Sequence, residues 1–88
     1  MPTKGERVLS EKVLGKTIVS QTGKTFGRAD DLIYETRTGE IIFIVVDNPT
    51  PYAQTFDLEK TKDGKPQIPF NAVVAIGDFI VVQEEDIV

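Results

Sequence analysis

The chain has 88 residues, of which 40% are hydrophobic, so it is long enough for one domain with one core and too apolar to be disordered throughout. It contains no cysteine and no histidine, which excludes disulfides, thiolate chemistry, sulfur-ligated zinc and the side chain most often used as a general base near neutral pH. Its formal net charge of -4 argues against a nucleic-acid-binding protein that works by neutralising phosphates.

The start of the chain is predicted to be a flexible terminus over residues 1–8. These residues are polar and lack the apolar region of a secretory signal, so secretion is not supported and a cytoplasmic protein is expected. The residues that follow favour a single helical turn, with Ser10 as its N-cap and Gly15 after its end.

The next segment favours two β-strands. Residues 17–20 are rich in β-branched side chains and are predicted to form the first strand. Gly23 then turns the chain, and Gly27 is expected to mark a bend or a bulge before the second strand, which is predicted over residues 29–36.

A turn at Gly39 leads into a third strand, predicted over residues 41–47. Its apolar run from Ile41 to Val46 is the longest in the chain, yet it is far shorter than the roughly 18 residues that span a membrane. Residues 48–53 contain two prolines, which cannot donate hydrogen bonds to a sheet, so this segment is predicted to be a loop.

Three short elements are predicted after this loop. Residues 56–59 alternate apolar with acidic and indicate a half-exposed strand. Asp63-Gly64 suits a type I′ hairpin turn, which leads to a short return strand over residues 68–70. One helical turn, capped by Asn71, is then expected over residues 71–73.

The last hairpin is predicted from strands at residues 74–76 and 79–82, joined at Gly77-Asp78. Six short strands with turns about every eight to twelve residues indicate a small barrel or sandwich. Residues 84–88 form an acidic C-terminal tail, which is typical of a solvated, frayed terminus, although Ile87-Val88 could extend a strand.

The glycine turns and the strands that follow them resemble the PRC-barrel family in their order and spacing. The matching motifs are Leu14-Gly15-Lys16, Gly23-Lys24, Gly27, Asp31-Leu32-Ile33-Tyr34, Thr38-Gly39, Ile41 to Val46, Ile68-Pro69-Phe70, Ala72-Val73 and Gly77-Asp78. The resemblance covers about residues 9–83 and implies an all-β fold, a small six-stranded antiparallel PRC-barrel with one or two short helical turns. The proline-containing loop over residues 48–54 departs from the family pattern. The glycines expected to form structural turns are Gly15, Gly23, Gly27, Gly39, Gly64 and Gly77.

The resemblance implies three functional settings. They are the cytoplasmic part of the H subunit of photosynthetic reaction centres, the C-terminal domain of the ribosome-maturation factor RimM, and short stand-alone archaeal proteins. The last group act as cell-division adaptors with SepF, which anchors FtsZ to the membrane. The chain shows no transmembrane helix and no RimM-type N-terminal barrel, so the stand-alone group fits best.

The expected function is therefore that of a cytoplasmic, non-enzymatic adaptor that is recruited to the membrane at the division site through its partners. Those partners are expected to be SepF or another PRC-barrel protein, in a homo- or hetero-oligomer, with no direct nucleic-acid binding and no membrane insertion. The alternative is an accessory factor in ribosome or RNA maturation, as the RimM resemblance would imply.

No catalytic site is expected in this chain. The acidic pairs Asp30-Asp31 and Glu84-Glu85 are adjacent in sequence, so in an extended chain their side chains point to opposite faces. Gly23-Lys24-Thr25 lacks the upstream glycine of a phosphate-binding loop and is expected to be a hairpin turn. We therefore predict that the protein is not an enzyme and binds no metal, nucleotide or redox cofactor.

The third strand is apolar on both faces, which demands a cover for the second face. If residues 37–39 form a bulged turn, Thr36 pairs with Glu40, Tyr34 faces Ile42, and Leu32 faces Ile44. The outer face is then covered either by the small helical turn and the long loop or by another subunit.

The remaining interaction candidates are a tyrosine and the expected sheet edges. Tyr52 could anchor an interface, or it could pin its own loop to the barrel. Residues 56–59 and 79–88 are the expected edges for strand addition by a partner. The residues predicted for the self-association or partner interface are Ile33, Ile41, Phe43, Val45, Tyr52, Ile87 and Val88.

Overall fold

The computed structural model describes residues 11–87, and within them the chain forms one six-stranded sheet. The strands are β1 (Thr17–Ser20), β2 (Thr25–Tyr34), β3 (Ile41–Asp47), β4 (Gln67–Pro69), β5 (Val73–Ile76) and β6 (Phe79–Val82). The predicted flexible terminus over residues 1–8, the N-cap role of Ser10, and Val88 lie outside the described residues.

The strand order is β4-β3-β2-β1-β6-β5, and the sheet is mixed. Strands β1 and β6 pair in parallel, whereas the other four pairs are antiparallel. The expectation of a purely antiparallel barrel is therefore wrong. Hairpin turns impose antiparallel pairing on neighbours in sequence, but no hairpin joins β1 to β6, so their relative direction is set by the overall path of the chain. The sheet is also not closed, because no ladder joins β4 to β5 within the described residues.

The predicted bounds of β1 and β3 are confirmed, while β2 begins before its predicted start. The bulge expected near Gly27 is present, since Ile18 pairs with Gly27 and Val19 pairs with Thr25. At Gly27 the backbone φ is +150°, and a Cβ there would lie 2.6 Å from Cγ1 of Val46. Because glycine accommodates this φ and this close contact, β2 continues through the bend and begins at Thr25, instead of starting after the bend as predicted.

The other predicted turn glycines divide into two groups. Backbone φ is positive at Gly15, Gly23, Gly39 and Gly64, as expected of glycine turns, whereas Gly77 turns the last hairpin without a positive φ. The turn at Gly64 is not of type I′, because Asn48 is the only described non-glycine residue with a positive φ. The amide of Gly64 donates to the Thr61 carbonyl at 2.9 Å, and the Thr61 amide donates to the Lys65 carbonyl at 2.9 Å.

The strand predicted over residues 56–59 is absent, and only an isolated bridge joins Lys60 to Pro66. The Gln67 amide donates to the Glu59 carbonyl, but Pro69, the next residue of β4 that faces this segment, has no amide hydrogen to donate, so the ladder cannot continue. The loop predicted over residues 48–53 contains a short helix, Pro51–Gln54, here called the loop helix. Its N-cap is Thr50, whose hydroxyl accepts from the Ala53 amide at 3.2 Å.

Three further helical pieces are short. Residues 11–13 are helical, in agreement with the predicted turn before β1. Phe70–Ala72 and Glu84–Asp86 are 3₁₀ turns. The first of these turns was expected, but its N-cap is Pro69 and it has no side-chain cap, so the capping role predicted for Asn71 is wrong.

The buried core of the described residues is entirely apolar apart from Ser20. The parallel pair sets Ile18 directly beside Ile80, and both are fully buried. The largest fully buried side chains are Phe26, Ile18, Ile44, Ile68, Ile80, Val13, Val46 and Val82. In β1 and β6, buried residues alternate with more exposed ones, so every second side chain points into the core, as expected for a β-strand.

Candidate protein-interaction surfaces

The outer face of β2 and β3 carries four of the predicted interface residues. Ile33 lies opposite Phe43, as a bulge after Ile33 pairs Tyr34 with Ile41 rather than Ile42. The predicted Leu32–Ile44 pair is confirmed. The predicted Thr36–Glu40 pair is wrong, because the Glu35 amide instead donates to the Glu40 carbonyl at 2.7 Å.

Part of this outer face is covered by the protein's own chain. Val45 is only 5% exposed, and Ile33 is half-buried. Both line a groove of about 340 Å³ whose other wall is the hairpin over residues 61–65. The cover at this end of the face is therefore the hairpin, which is neither of the elements that the sequence suggested.

Lys65 ties this hairpin to the sheet. Its ammonium lies 2.6 Å from Oδ2 of Asp30 and 3.9 Å from Oδ1 of Asp47. The hydrogen bond to Asp30 raises the pKa of Lys65 above its ordinary value. Since both partners are more than one-third exposed, water screens the pair and it contributes little to stability, although it sets the position of the hairpin.

Tyr52 lies in an intramolecular cluster at one end of the sheet. Its ring packs edge-on against Phe26, with centroids 5.5 Å apart, and against Phe56 at 5.4 Å. Its hydroxyl donates a hydrogen bond to Oε2 of Glu84, and Oε1 of the same carboxylate accepts from the Thr22 hydroxyl at 3.0 Å. These contacts favour the second of the two roles considered for Tyr52, in which it pins the loop helix to the barrel.

The hydrogen bond between Tyr52 and Glu84 shifts the pKa of each group in the direction expected when a phenol donates to a carboxylate. The bond raises the pKa of Tyr52, because ionisation would destroy the donor, and burial and the charge of Glu84 act in the same direction. It lowers the pKa of Glu84, because the bond stabilises the charged form.

The C-terminal segment is ordered rather than frayed over its described part. Glu84–Asp86 form a 3₁₀ turn, and Ile87 is 8% exposed and belongs to the core cluster. The expectation of a frayed terminus is therefore wrong for residues 84–87, although Glu85 and Asp86 are exposed to solvent as expected. Strand β6 is also not an edge, because it lies between β1 and β5. The interface role of Ile87 and Val88 stays a prediction.

A second groove lies beside β3 and β4, and its volume is about 490 Å³. We call it the β3–β4 groove. Most of its lining residues on β3 and β4 are apolar, and Ile42, 41% exposed, is its most exposed large apolar side chain. Asp57 and Glu59 supply its carboxylates. The residues that line it are Ile41, Ile42, Phe43, Asp57, Leu58, Glu59, Gln67, Pro69, Asn71 and Ile87. Three predicted interface residues, Ile41, Phe43 and Ile87, are thus brought together here.

The outer face of the last hairpin is a surface that the sequence reasoning missed. Phe79 is 53% exposed and Val74 is 47% exposed, which makes them the most exposed large apolar residues described. Ala75 is exposed too and pairs with Val81 of β6. Both strands of this hairpin are apolar at every position, so the signal that singled out β3 was also present here.

The two edges of the sheet differ in their protection. Beside β4, the Gln67 amide donates to the Glu59 carbonyl at 2.8 Å, and Pro69 removes the next donor on that side. Strand β5 contains no proline, and β6 is its only partner strand among residues 11–87. The open edge is therefore β5, which was not among the expected edges.

No helix within residues 11–87 is both long and apolar enough to cross a membrane. The same residues contain no group of three or more acidic, histidine or cysteine side chains placed to hold a metal ion. The family model described as PRC-barrel domain matches residues 5–86. The comparison with curated proteins found no match.

Proposed function

The chain belongs to the PRC-barrel domain family, and from that premise we propose that it is a non-enzymatic protein-interaction adaptor of archaeal cell division that works with the SepF and FtsZ machinery. The observation that carries the proposal is the β3–β4 groove, an apolar surface with carboxylates beside it. The resemblance to stand-alone members of the family supplies the identity of the expected partner.

The β3–β4 groove has the composition of a protein-binding surface. Ile42 offers a large apolar side chain to solvent, and Phe43 and Pro69 lie beside it as directly paired residues of β3 and β4. Burying such side chains under a partner removes apolar area from water, which is the main driving force of association. The groove is partly enclosed and has an apolar lining, so an inserted side chain of a protein partner would fit it.

The charges beside the groove indicate the chemistry of the partner. Asp57 and Glu59 are both exposed and line the groove next to Leu58. A partner segment that carries an apolar anchor flanked by lysine or arginine would fit this arrangement, because complementary charge speeds association and selects the partner. We therefore expect the SepF surface that binds here to present such a segment.

In this function the protein acts as a connector. It binds SepF through the groove, and its position at the membrane follows from the membrane anchoring of SepF. A sister PRC-barrel protein is the second expected partner. The contact is expected to be modest in area, so an affinity in the micromolar range would be ordinary for it.

Calorimetric titration with purified SepF and with sister barrels from the same organism tests the proposal. Ile42→Glu should raise the Kd by about tenfold or more, which corresponds to a loss of roughly 1.4 kcal/mol. Gln21→Glu is the matched control, because it adds the same charge at an exposed turn position away from the groove and should leave the Kd unchanged.

Two results would contradict the proposal. An unchanged Kd in a folded Ile42→Glu variant would remove the groove from the interface. A lack of binding to SepF and to every sister barrel, together with co-purification of ribosomal small-subunit proteins, would support the alternative role in ribosome or RNA maturation.

A further inference from the structure

We propose that two copies of this chain associate by antiparallel pairing of their β5 strands, which joins the two sheets into one continuous sheet. This inference is independent of SepF and uses a surface other than the β3–β4 groove. It rests on four features of the described residues: an unprotected edge, an uncharged edge segment, an exposed apolar face beside it, and contacts that hold the edge in place.

The first feature is the contrast between the two edges. Soluble proteins block exposed strand edges with prolines, charges or covering segments. At β4 the chain does so, through Pro69 and the segment that reaches Gln67. At β5 neither a proline nor a charged side chain is present, and no other strand within residues 11–87 covers its outer side. An edge left open in a molecule that protects the opposite one is a candidate for pairing.

The second feature decides which partner the edge fits. In an antiparallel pair about a twofold axis, each strand meets a copy of itself, so any charge near the axis opposes the same charge. Residues 66–77 contain no charged side chain, although 27% of the whole chain is charged. Because each copy carries a net charge of -4, two copies repel each other overall. The uncharged segment therefore lets two copies pair their β5 strands without placing like charges opposite each other within the strands.

The third feature is the exposed face that pairing would extend. Val74 and Phe79 are about half exposed, and Ala75 is exposed beside Val81. Pairing two β5 strands would bring the Val74 and Ala75 side chains of both copies together, with Phe79 on each flank. The apolar surface would then be continuous across four strands, and its central side chains would be shielded from water.

The fourth feature is the support of the hairpin. The Lys16 ammonium donates to the Gly77 carbonyl and so ties the β5–β6 turn to the segment before β1. The Gln83 amide donates to the Ala72 carbonyl at 2.8 Å and fixes the other end of β5. An edge held at both ends loses little conformational entropy when it pairs.

The expected complex is a weak dimer in exchange with the monomer. Strand β5 has four residues and a bulge at Val74, so the paired stretch is short. Contacts of this size lie below the roughly 1,200 Å² of stable interfaces, so a Kd in the range of tens to hundreds of micromolar is expected.

Sedimentation of the full chain over about 10 µM to 1 mM tests the proposal, because this range brackets the expected Kd. The average mass should rise with concentration towards that of a dimer. Val74→Lys and Val74→Glu should each remain monomeric, because like charges then meet near the twofold axis. An equimolar mixture of the two should regain the dimer through opposite charges. Ile42→Glu is the control variant on the other surface and should associate like the wild type.

Hydrogen exchange of the unmodified chain provides a test that needs no variant. The amides of residues 73–76 should become more protected as concentration rises, whereas those of residues 67–69 should not change. A mass that stays monomeric throughout, protection that does not rise in β5, or association that Ile42→Glu abolishes while folded Val74→Lys preserves it would each overturn the proposal. Titration of SepF with Val74→Lys should remain as in the wild type, so failure of the dimer and failure of the adaptor role are distinguishable.

Discussion

Replacing Gly27 with alanine should be among the most damaging single-methyl additions to this protein. A Cβ at this position would lie 2.6 Å from Cγ1 of Val46, 2.8 Å from the Asp47 carbonyl and 3.1 Å from the Asn48 carbonyl. Two of these three atoms belong to the backbone and cannot rotate away. The methyl group can be placed only if β2 and the end of β3 move apart.

The expected cost has two parts. The backbone φ of +150° is one that residues with side chains rarely adopt, and forcing it costs about 1–3 kcal/mol. Overpacking adds about 1–3 kcal/mol. The sum of roughly 2–6 kcal/mol is a large share of the approximately 4–13 kcal/mol that a domain of this length has in total.

Urea denaturation followed by circular dichroism measures this cost. With a slope of about 1.5 kcal/mol per molar urea, Gly27→Ala should lower the midpoint by roughly 1.5–4 M or prevent folding. Gly23→Ala is the matched control, because its φ is also positive, at +89°, but no atom lies within 4 Å of the added methyl group. It should lose only about 1–2 kcal/mol. An equal or smaller loss for Gly27→Ala would refute the reasoning from close approach.

Two further stability predictions test the C-terminal segment and its contacts, in addition to the Ile42 and Val74 variants described above. Ile87→Ala should lower the free energy of unfolding by about 2–4 kcal/mol in urea denaturation, because the side chain is in the core. Glu85→Ala, at an exposed position in the same segment, should have little effect. Equal effects of the two variants would support a frayed C-terminal tail instead. Tyr52→Phe should lower the unfolding midpoint at pH 7 because Glu84 loses its donor. Because the pKa of Glu84 is lowered, the stability that its charged form contributes is present above the ordinary glutamate pKa and is lost as pH falls through the lowered value. The difference in unfolding midpoint between Tyr52→Phe and the wild type should therefore disappear in acid. A difference that persists in acid would contradict the assigned hydrogen bond.

The parts of the fold that depend on neighbouring residues could be predicted from the sequence. The bounds of β1 and β3 and the turns at Gly23 and Gly39 follow from β-branched runs and glycines a few positions apart. The prediction failed where distant segments decide the outcome. Residues 56–59 alternate like a strand, but beside them β4 has Pro69 at the position that would donate next after Gln67, and proline cannot sustain a ladder.

For the candidate surfaces too, features set by neighbouring residues could be predicted from the sequence, whereas features set by distant segments could not. That β3 is apolar on both faces was readable from the sequence, and the β3–β4 groove brings Ile41 and Phe43 together. The covering of Val45 by the hairpin over residues 61–65 could not be predicted, because it depends on the packing of segments that are distant in sequence. The exposure of Phe79 could have been suspected from its strand composition, but which edge is open depends on the strand order.

The parallel pairing of β1 with β6 also constrains the order in which the protein folds. The β1–β2–β3 meander can form from local hairpins, whereas the pairing of Thr17 with Phe79 must close a loop that includes almost all of the intervening sheet. Until that loop closes, β1 has one side without hydrogen bonds and Ile18 lacks the neighbour that buries it. On a ribosome, β1 leaves the exit tunnel well before β6 is synthesised, so the nascent chain spends that interval with an open strand that chaperones or other nascent chains can bind.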